Sequence, residues 1–218
     1  MVEKQTQYIT IALAALIIIA AGIIIYISLP TDTIETDLNE DQSTNETTNQ
    51  TIDNSNIQFS VIYNSTETEY NIEELESLST YTGKGQYIKT KLIPDSIPSD
   101  VKNYTGVQIK TFFSLLGTSL PDNFNLSVTS SDGYVVEYTK NQTLGDVICY
   151  DENGSILTNE TAIMLLAYQE QGLYYNEIDH DAEIGPLRIV FVGNTESRIT
   201  SSNLWVKMVT SIEIVPLQ

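Results

Sequence analysis

The densest group of potential ligands in this chain is Asp179-His180-Asp181-Ala182-Glu183. In an extended segment Asp179, Asp181 and Glu183 share one face, and hard carboxylate oxygens suit Ca²⁺. The competing account is an exposed acidic loop ahead of Gly185-Pro186. Asp151-Glu152-Asn153-Gly154 begins like a calcium loop, but the position that needs a distal Glu is Ala162, so the segment reads as a plain turn. Cys149 is the single cysteine and His180 the single histidine. That excludes an intramolecular disulfide, a Cys-x-x-Cys pair and any site needing two histidines. In Val147-Ile148-Cys149-Tyr150 the thiol reads as a small buried hydrophobe. No Gly-rich phosphate loop and no Gly-x-Ser-x-Gly elbow is present.

The elements that must position such residues start after a polar stretch. Ile57 to Tyr63 alternates as a half-buried strand. Asn71 and Glu74 have capping-box spacing before Ile72, Leu75 and Leu78, which predicts a short helix ending near Ser79. Gln86 to Leu92 is a predicted strand. Ile109, Phe112, Phe113 and Leu116 fall on one helical face, with Gly117 placed to end the helix. Leu126–Thr129 and Tyr134–Tyr138 flank Ser131-Asp132-Gly133 at hairpin spacing. Ile163–Tyr168 and Leu173–Tyr175 enclose Gln171-Gly172, and Leu187–Val192 and Leu204–Val215 are predicted closing strands. Strands outnumber isolated helices, so the expected class is α+β with mixed or antiparallel sheets.

Upstream, Ile9 to Leu29 is uncharged and matches the roughly 20 apolar residues that cross a bilayer core. It lacks the shorter apolar core and small-x-small close of a cleaved signal, so it reads as a retained anchor. Lys4 precedes it, while Asp32, Glu35, Asp37, Glu40 and Asp41 follow it, which places residues 1–8 in the cytoplasm and the C-terminal body outside a single-pass cell-membrane protein. Residues 30–56 read as a Thr-, Asn- and Asp-rich disordered stalk, leaving 57–218 as one extracellular domain. Eight Asn-x-Ser/Thr sequons (Asn45, Asn49, Asn64, Asn103, Asn125, Asn141, Asn153 and Asn159) lie on that outward side, as in a glycoprotein. A net charge of −19 with ten basic residues excludes nucleic acid and an anionic membrane surface as partners of the domain.

One ordered series of motifs spans nearly the whole domain. Tyr104-Thr105-Gly106-Val107-Gln108-Ile109 leads into a helix, followed by Ser131-Asp132-Gly133-Tyr134, Ala167-Tyr168 with Gly172, Gly185-Pro186-Leu187-Arg188-Ile189-Val190, and Leu204-Trp205-Val206-Lys207-Met208 continuing to Ile214. In order and spacing the series resembles the molybdopterin-binding domain of sulfite-oxidase-like oxidoreductases. The resemblance implies that fold, and it implies cofactor-binding positions at Arg188 and Lys207, of which Lys207 sits where the family commonly contacts the cofactor.

The same resemblance implies a Cys thiolate on molybdenum, a soft anionic sulfur beside the pterin dithiolene. The matching strand, Gly85 to Lys91, has no Cys, and Cys149 falls outside the family's ligand position. The loop usually preceding the Trp-Val-Lys strand is replaced by Asn194 to Ser201. Two readings follow. One is an anchored surface or binding module with no cofactor and no metal, meeting a surface protein or a carbohydrate through its tyrosines, of which the whole chain has thirteen. The other is a molybdopterin-dependent oxidoreductase that recruits Cys149 or an oxygen ligand. An open, basic cavity beside Lys207 favours the second, and a filled or acidic one the first. Outside a cofactor site, Arg188 is expected to pair with an acidic neighbour, Lys207 to lie on an exposed strand face, and Trp205 to be a core or edge aromatic.

Overall fold

The computed structural model describes residues 58–178 and 185–217. The predicted cytoplasmic end, anchor and stalk, and the Asp179–Glu183 carboxylates with His180, lie outside the described residues. Among the described residues no helix is long and apolar enough to cross a membrane.

Strands β1 (Phe59–Tyr63) and β2 (Thr66–Tyr70) form a hairpin across Asn64-Ser65, both at positive φ (48° and 62°), the mirror-image turn that matches strand twist. Helix α1 (Ile72–Ser77) opens with the predicted capping box, in which Asn71 Oδ1 accepts from the Glu74 amide and Glu74 Oε2 from the Asn71 amide, each at 2.9 Å. Ile72 and Leu75 face the core. Strand β3 (Thr80–Ile88) starts earlier than the predicted Gln86–Leu92 run and stops sooner, and Thr90–Leu92 is a 3₁₀ turn. The Tyr87 and Lys89 amides donate to the Ser99 and Ser96 hydroxyls instead of to a neighbouring strand, so the chain turns away there.

Strand β4 (Lys102–Gln108) feeds α2 (Ile109–Leu115), whose Ile109, Phe112 and Phe113 are buried as the spacing predicts, with Gly117 at φ +64° beyond its end. Each such side chain contributes about 1.5–3 kcal/mol of apolar burial. The predicted hairpin is β5 (Phe124–Ser130) and β6 (Val135–Thr139), with Gly133 at φ +84° in the turn. A one-turn helix α3 (Lys140–Thr143), capped by Thr139 and Gln142, follows. Then come β7 (Cys149–Tyr150), β8 (Ile156–Leu157), β9 (Ile163–Glu170), β10 (Leu173–Tyr174), β11 (Arg188–Val192), β12 (Arg198–Ser201) and β13 (Val209–Pro216).

Two sheets result, as the α+β expectation requires. The first has five strands in the order β2-β1-β13-β5-β6, and the second has eight, running β10-β9-β4-β3-β12-β7-β8 with β11 paired to β9. Pairing is antiparallel except β1 with β13 and β3 with β12, so the sheets are mixed. The core lies between the inner faces and includes Phe59, Phe112, Phe124, Tyr138, Leu165 and Phe191.

Two departures from the sequence reading shape the site. Leu204–Val215 is not one strand: Ser202–Leu204 is a 3₁₀ turn, Met208 has φ +56°, and pairing with β5 begins only at Val209, with a register shift between Val209 and Ser211. Asn194–Ser201 is not all loop, because Arg198–Ser201 enters the second sheet between β3 and β7. β3 is also crossed closely by the β11 region. A Cβ on Gly85 would stand 2.6 Å from the Phe191 carbonyl and 3.1 Å from the Trp205 ring, so the bare backbone is what lets them approach.

Candidate functional site

A cavity of about 640 Å³ opens where the start of β11, the 202–208 connection and the β5–β6 hairpin meet. That is within the range of roughly 300–1,000 Å³ for small-molecule sites. Backbone bonds fix its wall: the Ile189 amide donates to the Val206 carbonyl at 2.8 Å, the Val209 amide to Leu187 at 3.1 Å, and the Ser131 amide to Met208 at 2.9 Å. Gly185, at φ +68°, passes so near the kink that a Cβ there would meet Met208 Cα at 2.6 Å.

Arg188 and Lys207, the two residues singled out by the motif resemblance, both line this cavity. Their settings differ. Arg188 is 8% exposed, with its guanidinium carbon 5.2 Å from the Trp205 ring centre and 5.9 Å from that of Tyr87. Stacking on aromatic faces suits a planar, weakly hydrated cation. Its Nη1 lies 3.6 Å from Glu170 Oε2, so the expected acidic partner is Glu170, which also accepts from Lys102 Nζ. Arg188 Nε and the Tyr175 hydroxyl are both buried, and neither has a hydrogen bond of good geometry among the described residues, the phenol's nearest polar support being the Arg188 guanidinium itself. The guanidinium acts on that phenol electrostatically, but burial dominates and holds the Tyr175 hydroxyl well above the ordinary tyrosine value. Lys207 is exposed at the Met208 kink instead of on a regular strand face.

Trp205 is 8% exposed and is a core aromatic with one side on the cavity. Its indole N–H donates to Thr200 Oγ1 at 2.8 Å, and Tyr87 and Tyr104 meet it edge-on at 5.3 and 5.4 Å between ring centres. The rim carries Asp132 and Tyr134 from the Asp-Gly-Tyr turn, where Asp132 Oδ1 accepts from the Tyr134 amide at 2.9 Å. The cavity is open, and its charge is mixed: Lys207 and Asp132 both line it, and the charge of Arg188 is already met by Glu170.

Cys149 is elsewhere. It is 1% exposed, its Sγ–H reaches the Val147 carbonyl at 3.7 Å, and it is not among the lining residues. Desolvation pushes its thiol up, away from the thiolate, with opposing help from Arg198 and a smaller upward push from Glu160. Recruitment of Cys149 to this cavity, one of the two enzymatic routes expected from sequence, does not match its place in the fold. Asp151 forms a turn, its Oδ1 accepting from the Asn153 and Ser155 amides at 2.9 and 2.8 Å. Those amide bonds, that of Ser155 foremost, hold its carboxyl below the usual range. Among the described residues no three His, Cys, Asp or Glu side chains are grouped to hold a metal.

Sequence reasoning missed Tyr87 and Glu170. Tyr87 was read only as part of a strand lacking cysteine, and Glu170 lies in a polar run, Gln169-Glu170-Gln171, with nothing to mark it. Only the pairing of Ala167 with Arg188 across β9 and β11 brings that carboxylate to the guanidinium.

No protein-family model matches the chain, and no curated protein sequence matches it. Among solved structures, the crystal structure of the sulfane dehydrogenase SoxCD from Paracoccus pantotrophus is similar in fold. The TM-score is 0.51 at 13% identity, over 75% of this chain and 39% of that one. The chain thus spans about two fifths of that protein's length. At this identity the likeness concerns the fold alone. It agrees with a distant molybdopterin-oxidoreductase-like fold of the sulfite-oxidase type, sheet-rich with few helices.

Proposed function

We propose that the domain is an outward-facing, membrane-anchored binding module that uses a sulfite-oxidase-like fold without metal redox chemistry. The observation that carries this reading is the donor set of the cavity. A pterin-held molybdenum needs a thiolate, and the walls offer the phenols of Tyr87 and Tyr134, the Asp132 carboxylate and the Met208 thioether, but no cysteine. The strand matched to the family's ligand strand presents Tyr87 instead, and Cys149 is enclosed behind another part of the sheet. These residues do not fit the metal, so no step is assigned to it. What they do fit is a small polar ligand or a side chain or sugar of a surface partner. The aromatic, cation-covered floor of Trp205, Tyr87 and Arg188 would accept a flat or ring-shaped group, and Lys207, Asp132 and the Ser130 and Ser202 hydroxyls would set its orientation.

The rival reading, a molybdopterin-dependent oxidoreductase, is supported by one observation, the open cavity in which Arg188 and Lys207 keep company. Molybdenum and pterin analysis of the full chain purified from its native host separates the two. The expected result is neither component at stoichiometric level; one molybdenum and one pterin per chain would overturn the binding-module reading.

A further inference from the structure

Six of the eight sequons fall on described residues, and the fold treats them in two ways. Asn64, Asn153 and Asn159 are exposed at turns: Asn64 in the β1–β2 hairpin at φ +48°, Asn153 in the β7–β8 hairpin, and Asn159 at φ +64° in the bend after β8. Their side-chain amides have no partner among the described residues, and the hydroxyl residue of each sequon (Thr66, Ser155 and Thr161) is exposed, with the Ser155 hydroxyl held at the surface by the Asp151 carboxylate.

The other three are engaged at one end or the other. Asn103 lies within β4, paired on both sides, and its Nδ2 donates to Gln171 Oε1 at 3.1 Å, while the Thr105 hydroxyl is 2.8 Å from that of Thr82. Asn125 lies within β5 between β13 and β6, and its Nδ2 donates to Glu137 Oε2 at 3.2 Å. Asn141 is exposed on α3, but its Thr143 is 3% exposed and spends its hydroxyl on the Thr139 carbonyl at 3.0 Å.

We propose that the folded domain is N-glycosylated selectively at Asn64, Asn153 and Asn159 and left bare at Asn103, Asn125 and Asn141. The inference rests on the outward-facing reading above. The donor is a lipid-phosphate-linked oligosaccharide. The asparagine amide nitrogen forms a bond to the anomeric carbon, the bond from that carbon to the phosphate oxygen breaks, the lipid phosphate leaves with the electron pair, and one amide proton is released. No oxidant or reductant is required. The step needs an amide that can leave its surroundings and a hydroxyl within reach, and turns grant both without breaking a strand ladder. None of the three acceptor residues lines the cavity, so bulky sugars there would cover the β1–β2 and β7–β8 ends while leaving its lining residues uncovered by a directly attached chain.

Glycopeptide mass spectrometry of the full chain from its native host tests this, with intact cells treated with an external protease in parallel. High occupancy at Asn64, Asn153 and Asn159 with at least a tenfold lower occupancy at the other three is the expected pattern. Equal occupancy at all six would overturn the inference by showing that attachment precedes folding. Sugars confined to Asn45 and Asn49, or sugars nowhere, would overturn it too. The protease separates the causes: a clipped domain keeps the outward-facing reading and refutes only the site selection, whereas a protected domain refutes the outward-facing reading itself. The triple variant T66A/S155A/T161A removes the hydroxyl of each sequon and keeps the asparagines, which at Asn64 and Asn159 suit the positive-φ turns, so it should lose the corresponding mass while folding normally.

Discussion

The cavity wall and the strip carrying Cys149 are joined by one residue, yet they differ in everything chemistry requires. Thr200 accepts the Trp205 indole N–H on one side and is the strand partner of Cys149 on the other. On the cavity side stand a stacked guanidinium, an exposed ammonium and a rim carboxylate. On the other side the thiol is enclosed, hydrogen-bonded weakly to a carbonyl and pushed toward its neutral form. The lesson is that a reactive residue type counts for less than the face and register on which the sheet places it. Cys149 is as close in the sheet as a neighbouring strand allows and still takes no part in the cavity.

The most forceful way to break this comparison is to remove the wall. Trp205→Ala deletes a nearly buried ring, its bond to Thr200, two edge-on contacts and the surface on which Arg188 rests. Loss of such a side chain costs about 3–5 kcal/mol. Chemical denaturation should show a midpoint lowered accordingly. A loss below about 1 kcal/mol, the scale of many ordinary substitutions, would mean that Trp205 is a peripheral aromatic and that the floor is not a packed unit.

How far this arrangement could be read from sequence depends on whether each signal was local. The Asn71–Glu74 capping box, the Ile109–Leu116 helix face and the Asp-Gly-Tyr hairpin were legible because caps, 3.6-residue spacing and positive-φ glycines act within a few residues. Lys207 lines the cavity with Arg188, but the strand expected to carry it is broken there, because a non-glycine residue at positive φ, Met208, gives no warning in an apolar run. β12 was hidden for a related reason: four residues, Arg198 to Ser201, show too little alternation, and their parallel partner β3 is over a hundred positions away in the chain. Glu170 and Tyr87 depend wholly on strand register, and no local pattern encodes it.

On the other side of the comparison, Cys149→Ala should cost roughly 1 kcal/mol, the scale of a small buried group with a slight void left behind. Metal content and any ligand affinity should not change. The wild-type thiol should resist iodoacetamide in the folded protein and react once denaturant opens the chain. Its pH behaviour has a definite sign. Burial raises the folded thiol, so above the unfolded value of roughly 8.5 the unfolded chain sheds a proton that the folded chain keeps, and stability falls as pH rises. The alanine variant should lack that part of the alkaline slope. Rapid alkylation of the native protein at neutral pH would place the thiol in reach of solvent and undo the contrast.

The smallest effect sharpens the difference between the two cations of the cavity itself. Lys207 is exposed and makes no ion pair among the described residues, whereas Arg188 is enclosed, stacked and paired. Removing an exposed charge usually moves stability by no more than about 0.5 kcal/mol. Lys207→Ala should therefore unfold within that margin of wild type, leaving Lys207 free to serve a ligand and not the fold. Differential scanning calorimetry at two ionic strengths is the check. A loss well beyond the margin that shrinks in salt would show that Lys207 is bound into the wall electrostatically, and the division of labour between a structural arginine and a ligand-facing lysine would fail.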